Sequence, residues 1–241
     1  MSEDVRSEQL KLLDRLKMEA GRAAVDFIES SMVLGLGTGS TTRYALEEIG
    51  RRIRSGKLKD IVGIPSSVQT EKIAGGLGIS LTTFDEFQEI DLTIDGADEV
   101  DPDLNLIKGG GGALLREKIL AQASRSNIMI VDESKLSPRL GTHWPVPIEV
   151  IPFAWKLVEK FLFSLGAEPK LRMKDDRNPY TTDQNNYILD TKFGPIADLE
   201  GLASNLSKKA GIVEYGLFLG TASEVIVASE NGIRFLRRDR Q

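Results

Sequence analysis

The chain has 241 residues, with 31 Lys and Arg against 36 Asp and Glu, a net charge of −5, and no cysteine. The lack of cysteine excludes disulfides, thiolate nucleophiles and zinc sites built on thiolates, and fits a cytoplasmic location. The acidic balance argues against a general nucleic-acid binder. The charged N-terminus and the lack of any apolar run near 18 residues argue against a signal peptide or a membrane span, so neither nucleic acid nor membrane is expected as a partner.

Residues 7–30 read as one amphipathic helix, with Leu10, Leu13, Leu16, Ala20, Ala24 and Phe27 at three- and four-residue spacing. The apolar run Met32-Val33-Leu34 then enters Gly35-Leu-Gly-Thr-Gly-Ser-Thr41, which reads as strand, glycine turn and helix, the helix running to about Ile53. The pattern recurs. Strands are predicted at 61–64, 92–94 and 128–131, and helices at 68–77 and 113–123. Short apolar runs alternating with helices imply a parallel sheet covered on both faces, with sites at the carboxyl ends of its strands.

Trp144-Pro-Val-Pro147 reads as an extended connection. Beyond it a helix from about Pro152, a strand at 187–189, a helix at 199–209 and a strand at 213–218 suggest a small α+β unit. The stripe Phe153, Leu157, Phe161 and Leu165 is spaced like core. A terminal hairpin is expected around Asn231-Gly232, returning to the main domain. Arg234, Arg237, Arg238 and Arg240 read as a solvated tail.

Three stretches carry the chemistry. The loop 35–41 opens a helix, where free amides and the positive dipole end suit an anion, and Ser40 and Thr41 add hydroxyls. It lacks the Lys of a Walker loop and the spacing of a dinucleotide fingerprint. The alternative is a plain tight turn. In Asp95-Gly-Ala-Asp-Glu-Val-Asp101, Asp95 at a strand's end and Asp98 suit hydrogen bonds to sugar hydroxyls or proton transfer. Here a surface acidic turn fits Glu99, Asp101 and Asp103, and the spacing does not diagnose a metal.

The third stretch is Lys108-Gly-Gly-Gly-Gly-Ala113 leading to Glu117. Four glycines are costly to order and make sense where backbone must approach a ligand, with amides placed to stabilise an enolate oxygen. Glu117 lies between Ala113 and Ala121 on its face, where partial desolvation would raise its pKa toward a useful base. Taken alone, a solvent-facing Glu between Arg116 and Lys118 is the plainer reading. His143, the single histidine, sits beside the Pro-rich connector and reads as structural, so a base in this chain is expected to be a carboxylate.

Taken in order, these stretches with Ser66-Ser67, Arg116-Glu-Lys118, Asp132-Glu-Ser-Lys135 and Pro147-Ile-Glu-Val-Ile-Pro152 resemble the A-type ribose-5-phosphate isomerases along nearly the whole chain. The resemblance implies an α/β fold, a Rossmann-like, mostly parallel sheet covered by helices (1–145 plus 219–241). A second, smaller α+β domain of ferredoxin-like type (146–218) goes with it. It implies interconversion of D-ribose 5-phosphate and D-ribulose 5-phosphate through a cis-enediolate, in the non-oxidative pentose phosphate pathway, without metal or cofactor, by a homodimer. Glu117 is then the base. Asp95 assists ring opening and hydroxyl proton movement, and Asp98 and Lys108 hold the reacting oxygens. Thr38, Gly39, Ser40 and Thr41 surround the substrate, Gly109, Gly110, Gly111 and Gly112 face the oxyanion, and Lys17 and Lys135 are cationic contacts. The N-terminal extension and residues 170–186 are expected to bear on nothing catalytic. Having both Asp95 and Glu117 favours an enzyme over a sugar-phosphate sensor domain. The other rivals, an amino-sugar phosphate deaminase and an acyl-CoA transferase, share the architecture; the transferase would need a coenzyme pocket.

Overall fold

The structure is a computed structural model that describes residues 3–238. Its contacts divide the chain into two compact units, 1–96 with 120–135 and 222–241, and 97–119 with 136–221.

The first unit is built on α1 (Glu3–Val25), β1 (Val33–Leu36), α2 (Ser40–Arg54), β2 (Val62–Pro65), α3 (Val68–Gly76), β3 (Ser80–Leu81) and β4 (Ile90–Gly96). The second unit opens with β5 (Glu99–Val100) and β6 (Leu106–Ile107). The boundary back to the first unit falls within α4 (Leu114–Ala123), which is followed by β7 (Ser124–Asp132). The second unit continues through β8 (Val146–Val150), α5 (Trp155–Ser164), β9 (Glu168–Leu171), β10 (Tyr187–Lys192), α6 (Leu199–Ser207), β11 (Ile212–Tyr215) and β12 (Leu217–Phe218). The hairpin β13 (Glu224–Ser229) and β14 (Gly232–Arg237) closes the chain.

In the first unit seven strands run in the order β14-β13-β7-β4-β1-β2-β3. All neighbours are parallel except β13 and β14. The terminal hairpin thus returns to the large sheet, as its sequence suggests. Interior strands β1, β4, β7 and β13 read as apolar runs because helices cover the sheet: Leu34, Leu36, Leu92, Ile94, Ile128, Ile130 and Ile226 share one core with Leu16, Ala20 and Ala24 of α1. α1 stops at Val25, short of residue 30. The chain leaves it through i→i−3 bonds from the amides of Asp26, Phe27 and Ile28. The side chain of Leu10 and all of Arg240 lie outside the described residues. Arg234 and Arg237 belong to the edge strand β14 rather than to a tail, where their charge discourages pairing with another sheet.

The second unit has the order β-α-β-β-α-β from β8 to β11, with sheet order β11-β8-β10-β9 and every pair antiparallel. That is the ferredoxin-like arrangement. A three-stranded sheet, β12-β6-β5, completes the unit. The Pro-rich connector becomes an interior strand, β8. Pro147 fits there because the N–H it lacks would face Gly216, whose amide donates to the Pro147 carbonyl at 2.7 Å and whose carbonyl is already satisfied by the Lys108 amide at 2.9 Å. The expected core stripe is corrected as well. Phe153 is 93% and Leu157 65% exposed; Phe161 of the stripe packs half-buried against the core, whose fully buried face in this segment is Ala154, Val158 and Leu162. Glu99 and Asp101 are buried, not on a surface turn, whereas Asp103 is exposed. The Glu99 carboxylate accepts from the amides of Gly141, Thr142, His143 and Trp144 at 3.0–3.2 Å and so pins the connector.

Candidate active site

In the first unit, β1 and β4 are neighbours, so their carboxyl ends bring the first glycine loop to Asp95. Asp95 is buried, and its Oδ1 accepts from the amides of Thr38 at 3.1 Å and Gly96 at 2.7 Å. Gly37 has a steric reason to be glycine, since a Cβ there would collide with the Asp95 carboxylate. The Thr38 hydroxyl sits 2.7 Å from Ser66 Oγ, 2.8 Å from Ser67 Oγ and 3.0 Å from Thr70 Oγ1. Thr70 Oγ1 donates to the Gly37 carbonyl at 2.9 Å, and Ser67 caps α3 by accepting the Thr70 amide at 3.0 Å. These hydroxyls hold the loop in one shape.

α2 begins at Ser40, and Gly39 before it provides no side-chain cap. The first amides of α2 are therefore available to an anion. They open onto a cavity of about 640 Å³ lined by Gly37, Thr38, Gly39, Ser40, Arg43, Tyr44 and Thr70 among others. Thr41 and Lys17 do not line it; Lys17 lies half-buried on α1, and Asp14, one turn earlier, lines the cavity instead. Lys135 is half-buried in a short turn after β7, where Asp132 accepts from the Ser134 amide at 3.0 Å. Sequence reading missed Thr70 and Arg43. Their signals are local: Thr70 is three residues after the cap Ser67, and Arg43 is one turn into α2 from Ser40.

In the second unit, β5 and β6 form a hairpin that sets Asp98 against the second glycine loop. The Asp98 amide donates to the Ile107 carbonyl at 2.8 Å, and its Oδ2 accepts from the Gly110 amide at 2.7 Å. A Cβ on Gly110 would lie 2.6 Å from that carboxylate, so the close approach needs glycine. Lys108 and Glu117 are 3% and 4% exposed, and Lys108 Nζ lies 3.5 Å from Glu117 Oε2. The solvent-facing alternative for Glu117 is thereby excluded. Burial removes water from the carboxylate, and the ammonium supplies the compensating charge. Lys118 points elsewhere. It donates to Glu214 Oε1 and the Tyr215 carbonyl, both at 2.6 Å, and burial pushes its pKa down against the Glu214 charge. This anchors the first turn of α4 and so the Glu117 backbone.

Residues 170–186 supply side chains that reach the glycine loop: Arg172 donates to the Gly109 and Gly110 carbonyls, and the Tyr180 hydroxyl to the Gly111 carbonyl. Nothing local in the sequence ties position 172 to 110; β9 pairing beside β10 does. Among the described residues no cluster of three or more His, Asp and Glu is arranged to hold a metal ion, and no helix is long and apolar enough to cross a membrane.

The family model described as ribose 5-phosphate isomerase A (phosphoriboisomerase A) matches residues 62–232. The chain is 56% identical over 224 residues to ribose-5-phosphate isomerase A of Desulfatibacillum aliphaticivorans, covering 93% of this chain and 97% of that one. It is 53% identical over 218 residues to the protein of the same name from Chloroflexus aurantiacus, covering 90% and 91%. Among solved structures, ribose 5-phosphate isomerase from Plasmodium falciparum superposes with a TM-score of 0.91 at 42% identity, covering 94% of this chain and all of the other. A D-ribose-5-phosphate isomerase in complex with phospho-erythronic acid gives 0.92 at 42% identity, covering 94% and 99%. With a family model matched over residues 62–232, identities of 56% and 53% over 90% or more of the chain, and TM-scores of 0.91 and 0.92 to two solved structures, the chain belongs to the ribose 5-phosphate isomerase A family.

Proposed function

We propose that this chain interconverts D-ribose 5-phosphate and D-ribulose 5-phosphate through a cis-enediolate. The observation that carries the reading is the buried Glu117 beside Lys108, a carboxylate sheltered from water and next to a cation, at the start of a helix entered from four glycines. Glu117 removes the proton on C2 of the open-chain aldose and returns it to C1. Lys108 and Asp98 hold the oxygens that exchange charge, and the Gly109–Gly112 backbone faces the developing oxyanion. Asp95 assists ring opening and moves the hydroxyl proton. Thr38, Gly39 and Ser40 take the phosphate end, supported by the uncapped amides of α2, and Thr41, outside the cavity lining, is assigned to it by resemblance to the family. Lys17 and Lys135 are assigned as cationic contacts by resemblance to the family. The enediol route asks for one sheltered carboxylate and donors at the oxyanion, and these residue types meet that requirement.

A cytoplasmic homodimer goes with this reading, and light scattering of the purified protein at twice the chain mass would support it. The deciding experiment is conversion of ribose 5-phosphate to ribulose 5-phosphate by purified protein in excess chelator. Turnover that survives chelation and vanishes in Glu117→Gln supports the carboxylate-base route. Binding of the sugar phosphate without turnover would favour a sensor instead.

A further inference from the structure

The second glycine loop is braced from one side by a guanidinium. Arg172 is fixed by Asp190 of β10, with Nε 2.9 Å from Oδ2 and Nη2 2.5 Å from Oδ1. Its remaining nitrogen, Nη1, donates to the carbonyls of Gly109 at 3.0 Å and Gly110 at 3.1 Å. The Tyr180 ring lies with its centroid 5.7 Å from the guanidinium carbon, and its hydroxyl donates to the Gly111 carbonyl at 3.4 Å.

A peptide group is planar and trans, so its C=O and N–H point in opposite directions. The loop has three such planes. In the 109–110 peptide, Arg172 holds the carbonyl and Asp98 takes the Gly110 N–H. In the 111–112 peptide, Tyr180 holds the carbonyl and the Gly112 N–H donates to the Gly109 carbonyl at 3.0 Å. In the 110–111 peptide, Arg172 holds the carbonyl, and the Gly111 N–H has no acceptor among the described residues. A cation at the carbonyl end fixes this plane and draws electron density from it, which strengthens the N–H at the other end as a donor.

We propose that Arg172 is a positioning residue for the isomerisation: it aims and strengthens the Gly111 N–H as the donor to the enediolate oxygen. The proposal rests on the isomerase reading. A donor used mainly when charge develops affects kcat more than KM. Arg172→Gln is expected to lower kcat by about 10- to 100-fold, below or up to the loss of a whole oxyanion donor, with KM for ribose 5-phosphate changed less than about 3-fold. Asp190→Asn, which loosens the anchor, falls between the variant and the wild type.

Binding supplies a readout that general loosening would not give. 4-Phospho-erythronate carries a planar carboxylate where the enediolate oxygens form, and inorganic phosphate does not. Arg172→Gln should weaken phospho-erythronate by about 10-fold and leave inorganic phosphate unchanged. Unchanged kcat, or equal loss of both ligands, overturns the proposal. Should the Gln variant fail to fold, Arg172→Lys, which keeps the cation but loses the fork, is read by the same criteria. A wild type with no turnover on ribose 5-phosphate would sink the isomerase reading instead, and the split between the two ligands would still decide the role of Arg172.

Discussion

Lys108 Nζ stands 3.5 Å from Glu117 Oε2, and both side chains are almost wholly buried. Each charge is tolerable there because of the other. Glu117→Gln keeps the shape and removes the base, so kcat should fall by about 10²- to 10⁴-fold while substrate still binds. Substantial residual isomerisation would take Glu117 out of that role.

Lys108→Met leaves the Glu117 carboxylate buried without its cation. We expect a loss of about 3–5 kcal/mol in denaturant unfolding, besides the loss of activity. Adding Glu117→Gln should restore much of the stability and none of the turnover. A double variant no more stable than Lys108→Met would show that the two charges are not coupled.

Ser40 and Thr41 open α2, and phosphate contacts persist from ground state to transition state. Replacing both by Ala should raise KM with little change in kcat. A loss confined to kcat would show that the loop does something other than hold the phosphate.

The Glu99 carboxylate satisfies four successive amides, those of residues 141–144, where the chain enters the connector. Glu99→Ala removes the buried acceptor of four partly buried amides and should cost about 3 kcal/mol of stability. A thermal unfolding midpoint equal to that of the wild type would contradict this.

Two buried glutamates pull stability in opposite directions with pH. At Glu149, desolvation by burial raises the pKa, outweighing hydrogen bonds from Asn186 and Thr182. Its folded pKa exceeds the unfolded one, so its contribution is full below the unfolded pKa and is lost as pH rises through the folded value. Glu149→Gln should therefore gain more, relative to wild type, at pH 7.5 than at pH 4; an equal difference at both would refute this. Glu48 is held down to about 2, chiefly by its hydrogen bond with Arg51, against burial, with Arg52 assisting. Its contribution is present above the unfolded value of 4.5 and is lost as pH falls toward 2. Glu48→Gln should flatten the acid limb of the unfolding profile.

Much of the large sheet is legible in the sequence. The runs at 32–34 and 128–131 are apolar without alternation because their strands are covered on both faces, Leu92-Thr93-Ile94 differs by one buried threonine, and glycine or aspartate marks where each strand ends. Asn231-Gly232 marks the hairpin. The two glycine loops announce themselves because few other reasons exist to tolerate their entropy cost. Periodicity misleads where an apolar face remains exposed: Phe153 and Leu157 have helical spacing yet face solvent in this chain.

The sequence by itself determined the longer strands and helices of the large sheet, the loops at their carboxyl ends and the candidate carboxylates, since each depends on residues within a turn or two. The short strands β3, β5, β6 and β9, the pairing of β8, and the split of 213–218 into β11 and β12 in different sheets depend on partners distant in the chain. Only the tertiary structure decided that Glu117 is buried beside Lys108, that Glu99 is a buried anchor for residues about 42 positions away, and that Arg172 reaches Gly110 across 62 residues. Desolvation and hydrogen-bond partnership depend on what packs nearby in space. Sheet pairing sets those neighbours, and composition and spacing along the chain do not record them.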